Sequence, residues 1–362
     1  MERYPILEIH RKVLRQNAEA LLTKCRKQGI EPCAVVKGFC NCRPITEELV
    51  SAGFRTLASS RIEHLRDIRE AGFPVKTLLL RIPMACEIED VVRMSDASLV
   101  SEKKTLLALE REAKKQGTVY SVILMRDVGD LREGIFDAGE FVGTAVYVEK
   151  ELPHLHLLGV GANLTCYGSV VPTAENLGEL CRNAEEIERR IGRTLEVISG
   201  GSTSSLPLLL QGGMPRRINQ LRIGEALVVP WDLFYTWNCP EEDMSNAGLI
   251  LKAQIIECGK KPTKPIGRQG INCFGSYREY EDRGVRKRAI LAIGEYDIGN
   301  YEKLVPTDPG VRVLGASSDH TIVDIEDSSR TYEVGDIMEF ELRYQSMLFA
   351  TENPFVRKIS VD

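Results

Sequence analysis

The chain has 362 residues, 43% hydrophobic and 27% charged, with a formal net charge of −5, which is ordinary for a globular protein and long enough for two hydrophobic cores. The acidic balance supplies no clustered Lys and Arg surface for a nucleic-acid partner, and without a run of 18 apolar residues no membrane span is expected. Ten cysteines with one close pair, Cys40 and Cys42, and no CxxC support neither a zinc site nor a disulfide framework, so no metal is expected.

The first stretch, MERYPILEIHRKVLRQN, is charged and lacks the apolar core of a signal peptide, so a cytoplasmic protein is expected. From residue 10 to about 230, short β-branched runs alternate with stretches of helical periodicity. The runs predict strands at Ala34–Val36, Thr56–Ala58, Thr77–Ile82, Ala97–Val100, Val119–Met125, Leu157–Gly161, Leu195–Ser199 and Gln220–Ile223. VLRQNAEALLTKC places Leu14, Ala18, Leu21, Leu22 and Cys25 on one helix face, and Glu102–Gln116 and Ala174–Arg190 behave alike. Eight such units in this length suit a (β/α)8 TIM-type barrel. The rival is an open doubly wound sheet, but no GxGxxG follows the first strand.

After Trp231 the pattern becomes all-β. Strands are predicted at Leu249–Glu257, Ala289–Gly294, Val311–Gly315, Thr321–Ile325 and Ile337–Leu342, with almost no helical periodicity. The fold class is therefore α/β, a (β/α)8 barrel over residues 1–235 followed by a C-terminal all-β domain over 236–362. Residues 1–9 stay open as a further strand of that second domain.

In such a barrel, reactive groups come from the C-terminal strand ends. Lys37, Arg81, Asp127, Arg132, Asn163, Tyr167, Ser202, Thr203 and Arg222 all fall at or near such ends. In AVVKGFCNCRP, Lys37 follows an apolar run; it reads either as a strand end reaching for water or as a nucleophile. SGGSTSS (Ser199–Ser205) has two glycines that allow close backbone approach, then hydroxyls, then a helix over Leu206–Leu210. It reads equally as an anion site or as a Ser N-cap. A lysine and a phosphate cradle in one mouth are what a pyridoxal phosphate enzyme needs.

AVVK, DVGDLREG (Asp127–Gly134), the SGGS loop, RIGEA (Arg222–Ala226) and the segment at Ser317–Asp319 resemble the alanine racemase family of barrel-type pyridoxal phosphate enzymes. LLLRIPMACEIEDVV, NLTCYG, RKRAILAIG and LGASSDHTIVD are similar to its ornithine racemase subgroup. The resemblance implies pyridoxal 5'-phosphate as cofactor, with Lys37 as its Schiff-base partner and as one acid/base group. It places Arg132 near the cofactor's phenolic oxygen, Asn163 where the family stacks a histidine on the ring, and Arg222 at the pyridine nitrogen. Ser202 and Thr203, Gly224, Glu225 through its backbone, and Tyr344 fall where phosphate is bound. Ser318 and Asp319 fall on a loop that reaches the partner's active site in a head-to-tail homodimer.

The family's second acid/base, a tyrosine, aligns with Phe274, which moves no proton, and the aspartate of ornithine-type members aligns with Asn272. The opposite-face base is left between Cys273 and Tyr280. A basic substrate's distal ammonium wants a carboxylate, for which Asp319 leads and Glu295 or Asp297 follow. The expected activity is racemisation of a basic amino acid, ornithine foremost. A decarboxylase of the same fold and a non-catalytic pyridoxal phosphate-binding protein are the rivals.

Overall fold

Short buried strands alternating with amphipathic helices close into a barrel. In a computed structural model that describes residues 2–362, the chain forms two compact units. One holds Arg15–Lys37 and Thr46–Met244, the other the residues up to Leu14, Gly38–Ile45 and Ser245–Asp362.

Strand β1 (Ile6–His10) belongs to the latter unit. The next eight are β2 (Cys33–Val35), β3 (Thr56–Ser59), β4 (Lys76–Leu79), β5 (Ala97–Val100), β6 (Tyr120–Met125), β7 (Leu155–Ala162), β8 (Val197–Ser202) and β9 (Gln220–Ile223). Each pairs in parallel with the next, and β2 returns to β9 through Cys33↔Arg222 and Ala34↔Ile223, which closes the predicted eight-stranded barrel. Its interior is filled by Cys33, Val35, Ala58, Leu78, Ala97, Leu99, Ile123 and Met125. Each large aliphatic among them contributes about 1.5–3 kcal/mol through burial.

The helices form where sequence supplies both a face and caps. Over Ala174–Ile191, Leu177, Leu180, Cys181, Ala184 and Ile187 form the buried stripe. Thr173 and Asn176 cap its start reciprocally, and Gly192, at φ +78°, ends it in the left-handed conformation. Leu14, Ala18, Leu21, Leu22 and Cys25 are buried as predicted.

Two strand ends differ from expectation where chemistry sits. β4 stops at Leu79 instead of Ile82, because Arg81 turns aside to Glu87 at 2.9 Å. β8 runs on through Gly200, Gly201 and Ser202 instead of ending at Ser199, since Gly200 still pairs with Ala162 and Ser202 with Arg222. Glycine's weak strand preference is overridden by these neighbours.

The other unit contains β10 (Leu249–Pro262), β11 (Val285–Leu291), β12 (Leu304–Pro306), β13 (Arg312–Ala316), β14 (Thr321–Asp324), β15 (Ile337–Leu342) and β16 (Arg357–Val361). They form one sheet in the order β12-β15-β10-β11-β14-β13, with β1 antiparallel to β10 and parallel to β16. The near-absence of helix expected here is corrected by a nine-residue helix over Tyr344–Glu352. Arg286 lies within β11 and pairs with the buried Asp324 at 2.5 Å.

Candidate active site

Polar side chains from five barrel strand ends and the loops after them share the C-terminal mouth. β2 is buried throughout, and the chain tightens after it into a 3-10 turn over Val36–Phe39 that carries Lys37 half-buried. Burial is the largest cause of a lowered Lys37 pKa. The Cys166 and Glu133 side chains pull it back up, and the Arg132 and Arg222 cations push it further down. Arg132, Glu133 and Arg222 thus act electrostatically on the lysine amine.

Arg222 projects from β9 and is 3% exposed. Its Nη2 donates to the Ala162 carbonyl at 2.8 Å and its Nη1 to Ser199 Oγ, so the adjacent strand β8 and the next one, β7, both satisfy it. Burial pushes its pKa down from the ordinary arginine value, yet a guanidinium stays cationic in a protein. Cys33, below it in β2, is a core residue whose thiol burial pushes up to about 12. It is no nucleophile at neutral pH.

Arg132 lies on the loop after β6. Its Nη2 reaches Glu133 Oε1 at 2.6 Å and its Nε reaches the other carboxylate oxygen, a two-pronged pair that raises the arginine pKa. In the amide orientation that satisfies both groups, the Asn163 oxygen accepts from Arg132 Nη2 at 3.0 Å and from the Leu164 N–H at 3.3 Å.

On the other side, β8, β9 and β2 approach closely. A Cβ on Gly224 would stand 3.2 Å from the Val35 Cβ, and one on Gly200 would stand 2.6 Å from Ile218 Cγ2. Gly201 has φ +105°, and a Cβ there would meet Ser205 Oγ at 2.6 Å. The Gly224 N–H donates to Thr203 Oγ1 at 3.3 Å, and Ser202 and Ser204 hydroxyls lie 3.2 Å apart. Glu225 begins the short helix that follows Gly224. Lys37, Arg132, Asn163, Ser202, Thr203, Arg222, Gly224 and Glu225 thus all belong to the barrel's mouth.

Residues 9–230, more than half of the chain, match the family described as alanine racemase, N-terminal domain. The chain belongs to the alanine racemase family. Within it, an ornithine racemase from Acetoanaerobium sticklandii is 41% identical over 358 residues, 98% of this chain and 99% of the relative. A lysine racemase from Thermotoga maritima is 36% identical, covering 98% of each chain. Among solved structures, an alanine racemase from a D-cycloserine-producing Streptomyces lavendulae superposes with a TM-score of 0.73 at 17% identity, covering 100% of this chain and 98% of that one. At that identity the likeness is one of fold.

The remaining candidate positions lie in the unit built on the antiparallel sheet. Cys273 is exposed on a turn organised by Asn272, whose Oδ1 accepts from the N–H groups of Phe274 at 3.0 Å and Ser276 at 2.8 Å. Tyr280 lies with its ring 5.2 Å from the Arg278 guanidinium, in a cleft of about 340 Å³ lined also by Arg283, Arg288 and Arg312. Ser318 donates to Asp319 at 2.6 Å on the exposed loop between β13 and β14. In the same unit, burial raises the pKa of Asp297, and burial together with Glu302 raises that of Glu295. Tyr344 opens the helix Tyr344–Glu352, its ring 3.2 Å from where a Cβ on Gly38 would stand.

Glu133, Asp130 and Cys166 lie inside DVGDLREG and NLTCYG but are not among the site residues expected from sequence. Glu133 follows Arg132 directly, and its carboxylate folds back onto the guanidinium. Among the described residues, no helix is long and apolar enough to cross a membrane.

Proposed function

We propose that this amino-acid racemase interconverts the L- and D-isomers of a basic amino acid, ornithine foremost, with pyridoxal 5'-phosphate as its cofactor. One arrangement carries the reading: a half-buried lysine amine, a buried arginine and a hydroxyl-rich glycine cradle meet at the mouth of one barrel. The donor set fits the group chemically. An amine suits an aldehyde, a fixed cation suits a pyridine nitrogen, and the N–H and hydroxyl groups around glycines lacking room for a Cβ suit a phosphate. Ser202, Thr203, Gly224, Glu225 through its backbone, and Tyr344 would hold the phosphate.

When bound, the cofactor supplies an electron sink that acidifies the substrate's Cα–H. Lys37, its amine biased by burial towards the neutral form, removes or returns the Cα proton on one face. Arg222 offers the ring nitrogen a cation and no transferable proton, which tempers the sink and suits simple proton exchange. Arg132, with Asn163 beside it, holds an anionic oxygen of cofactor or substrate in place. The opposite face needs a second group, and Cys273, an exposed thiol, comes before Tyr280. In a head-to-tail homodimer with shared sites, Ser318 and Asp319 reach the partner's active site to meet the substrate, and Asp319 takes the distal ammonium. The enzyme works in the cytoplasm. The substrate class is supported by the two relatives that match along nearly the whole chain.

The test is incubation of the purified protein with pyridoxal phosphate and L-ornithine, L-lysine or L-alanine in heavy water. D-ornithine carrying deuterium at Cα is the expected product. Release of CO2 without any D-isomer, or no label in any amino acid, overturns the reading.

A further inference from the structure

Asp130 is 1% exposed, yet its partners are backbone groups of a different loop. Its Oδ1 accepts from the N–H groups of Thr165 at 2.8 Å, Gly168 at 3.1 Å and Val170 at 3.4 Å, and its Oδ2 from Tyr167 at 3.2 Å. A ring of backbone donors of this kind stabilises an anion and is in turn ordered by it. The loop it grips, after β7, is held in an uncommon shape. Thr165 has φ +78° and Ser169 φ +56°, left-handed values that a β-branched residue rarely adopts, and Thr165 Oγ1 closes the turn on the Val170 carbonyl at 2.9 Å. The loops touch backbone to backbone, since a Cβ on Gly168 would stand 2.6 Å from the Asp130 carbonyl.

Both loops carry site residues two positions from this contact. Arg132 follows Asp130 by two residues, and Asn163 precedes Thr165 by two; the two side chains meet at 3.0 Å. The Asp130 loop is itself stiffened by Asp127, whose Oδ1 accepts from Gly129 at 2.9 Å and Leu131 at 3.2 Å. The loop after β7 is tied at its root by Arg222 on Ala162 and by Ser204 on Leu164 at 3.4 Å. What fixes Arg132 and Asn163 relative to each other is then the carboxylate behind them.

We propose that Asp130 is a positioning residue for racemisation, clamping the loop after β7 to the loop after β6 so that Arg132 and Asn163 stand together at the Lys37 site. This rests on the racemase reading of the mouth. Asp130→Asn keeps the size and turns one acceptor into a donor aimed at N–H groups. Gly168→Ala attacks the same contact from the other side without touching the charge, and covers the case in which Asp130→Asn does not fold.

In cofactor-free protein, amide hydrogen exchange in either variant is expected to quicken tenfold or more across residues 126–135 and 162–170, with the other strands unchanged. In loaded protein, absorbance of the Lys37-bound cofactor is expected to persist while kcat for ornithine falls tenfold or more. In an Arg132→Lys background the further loss from Asp130→Asn is expected to shrink below twofold, which a merely structural defect would not do. Independent, multiplying effects of the two substitutions, or quickened exchange confined to 162–170 with full kcat, overturn the clamp alone. A wild-type protein that binds no cofactor and racemises nothing overturns the reading of the site and the clamp with it.

Discussion

Arg132 and Glu133, consecutive in sequence, form a two-pronged ion pair at the barrel mouth, with Nη2 of one 2.6 Å from Oε1 of the other. Both act on the same lysine with opposite sign. Burial depresses the Lys37 pKa, Arg132 adds to the depression and Glu133 relieves it. Glu133→Gln therefore lowers the Lys37 pKa further, and Arg132→Leu raises it. In cofactor-free protein, the pH at which Lys37 becomes half-reactive towards an amine acylating reagent, followed by mass spectrometry, shifts down in the first variant and up in the second. A shift in the same direction for both would show that the pair does not set this charge.

Gly201→Ala tests the cradle. At φ +105° a Cβ is strained by about 1–3 kcal/mol, and it would meet Ser205 Oγ at 2.6 Å. Pyridoxal phosphate affinity, measured by fluorescence titration, should fall by about tenfold or more, since 1.4 kcal/mol is a factor of ten. Binding of pyridoxal without its phosphate should change little. An equal loss for both ligands would place the damage elsewhere than the phosphate contacts.

Much of this geometry was legible from sequence because the barrel's strands are buried on both faces. Ala97–Val100, for example, is buried at every residue and begins and ends where the apolar character does, between Asp96 and Ser101. The helix Tyr344–Glu352 was not legible, for a physical reason: its buried side includes Ser346 and Thr351 beside Met347 and Ala350, so no apolar stripe repeats along it. β11 starts earlier than its apolar run because Arg286 is matched by Asp324 and Asp327 across space. The Lys37 and Ser202–Thr203 positions could be placed by their strand ends. Asp130 could not, since a carboxylate that binds N–H groups of a loop 35 to 40 residues away leaves no local trace.

Arg222→Met should destabilise the barrel. The substitution keeps bulk but leaves the Ala162 carbonyl and Ser199 Oγ without their donor, a loss of about 1–3 kcal/mol for a buried unsatisfied group. Arg222→Lys restores one donor and should recover part of it. Urea unfolding of the cofactor-free proteins separates the three; identical midpoints would mean that water replaces the guanidinium at no cost.

Cys273→Ala and Tyr280→Phe decide the opposite-face base. Loss of a general acid/base costs about 10²–10⁴-fold. The variant lacking the true base should still exchange the Cα proton of one enantiomer through Lys37, without inversion, while racemisation falls by that factor. Wild-type racemisation in both variants would remove both residues from the mechanism.

The placement of β1 has a consequence for biosynthesis. Ile6 to His10 lie in register beside Arg357 to Val361, so this strand waits for about 350 further residues of translation before that neighbour exists. At about 5–20 residues per second this delay is on the order of tens of seconds, during which the ribosome can finish all eight barrel strands. The sheet unit is thereby the late-maturing half of the molecule, and its first strand has both edges open to misassociation until β10 is made and one edge open from then until β16 is made.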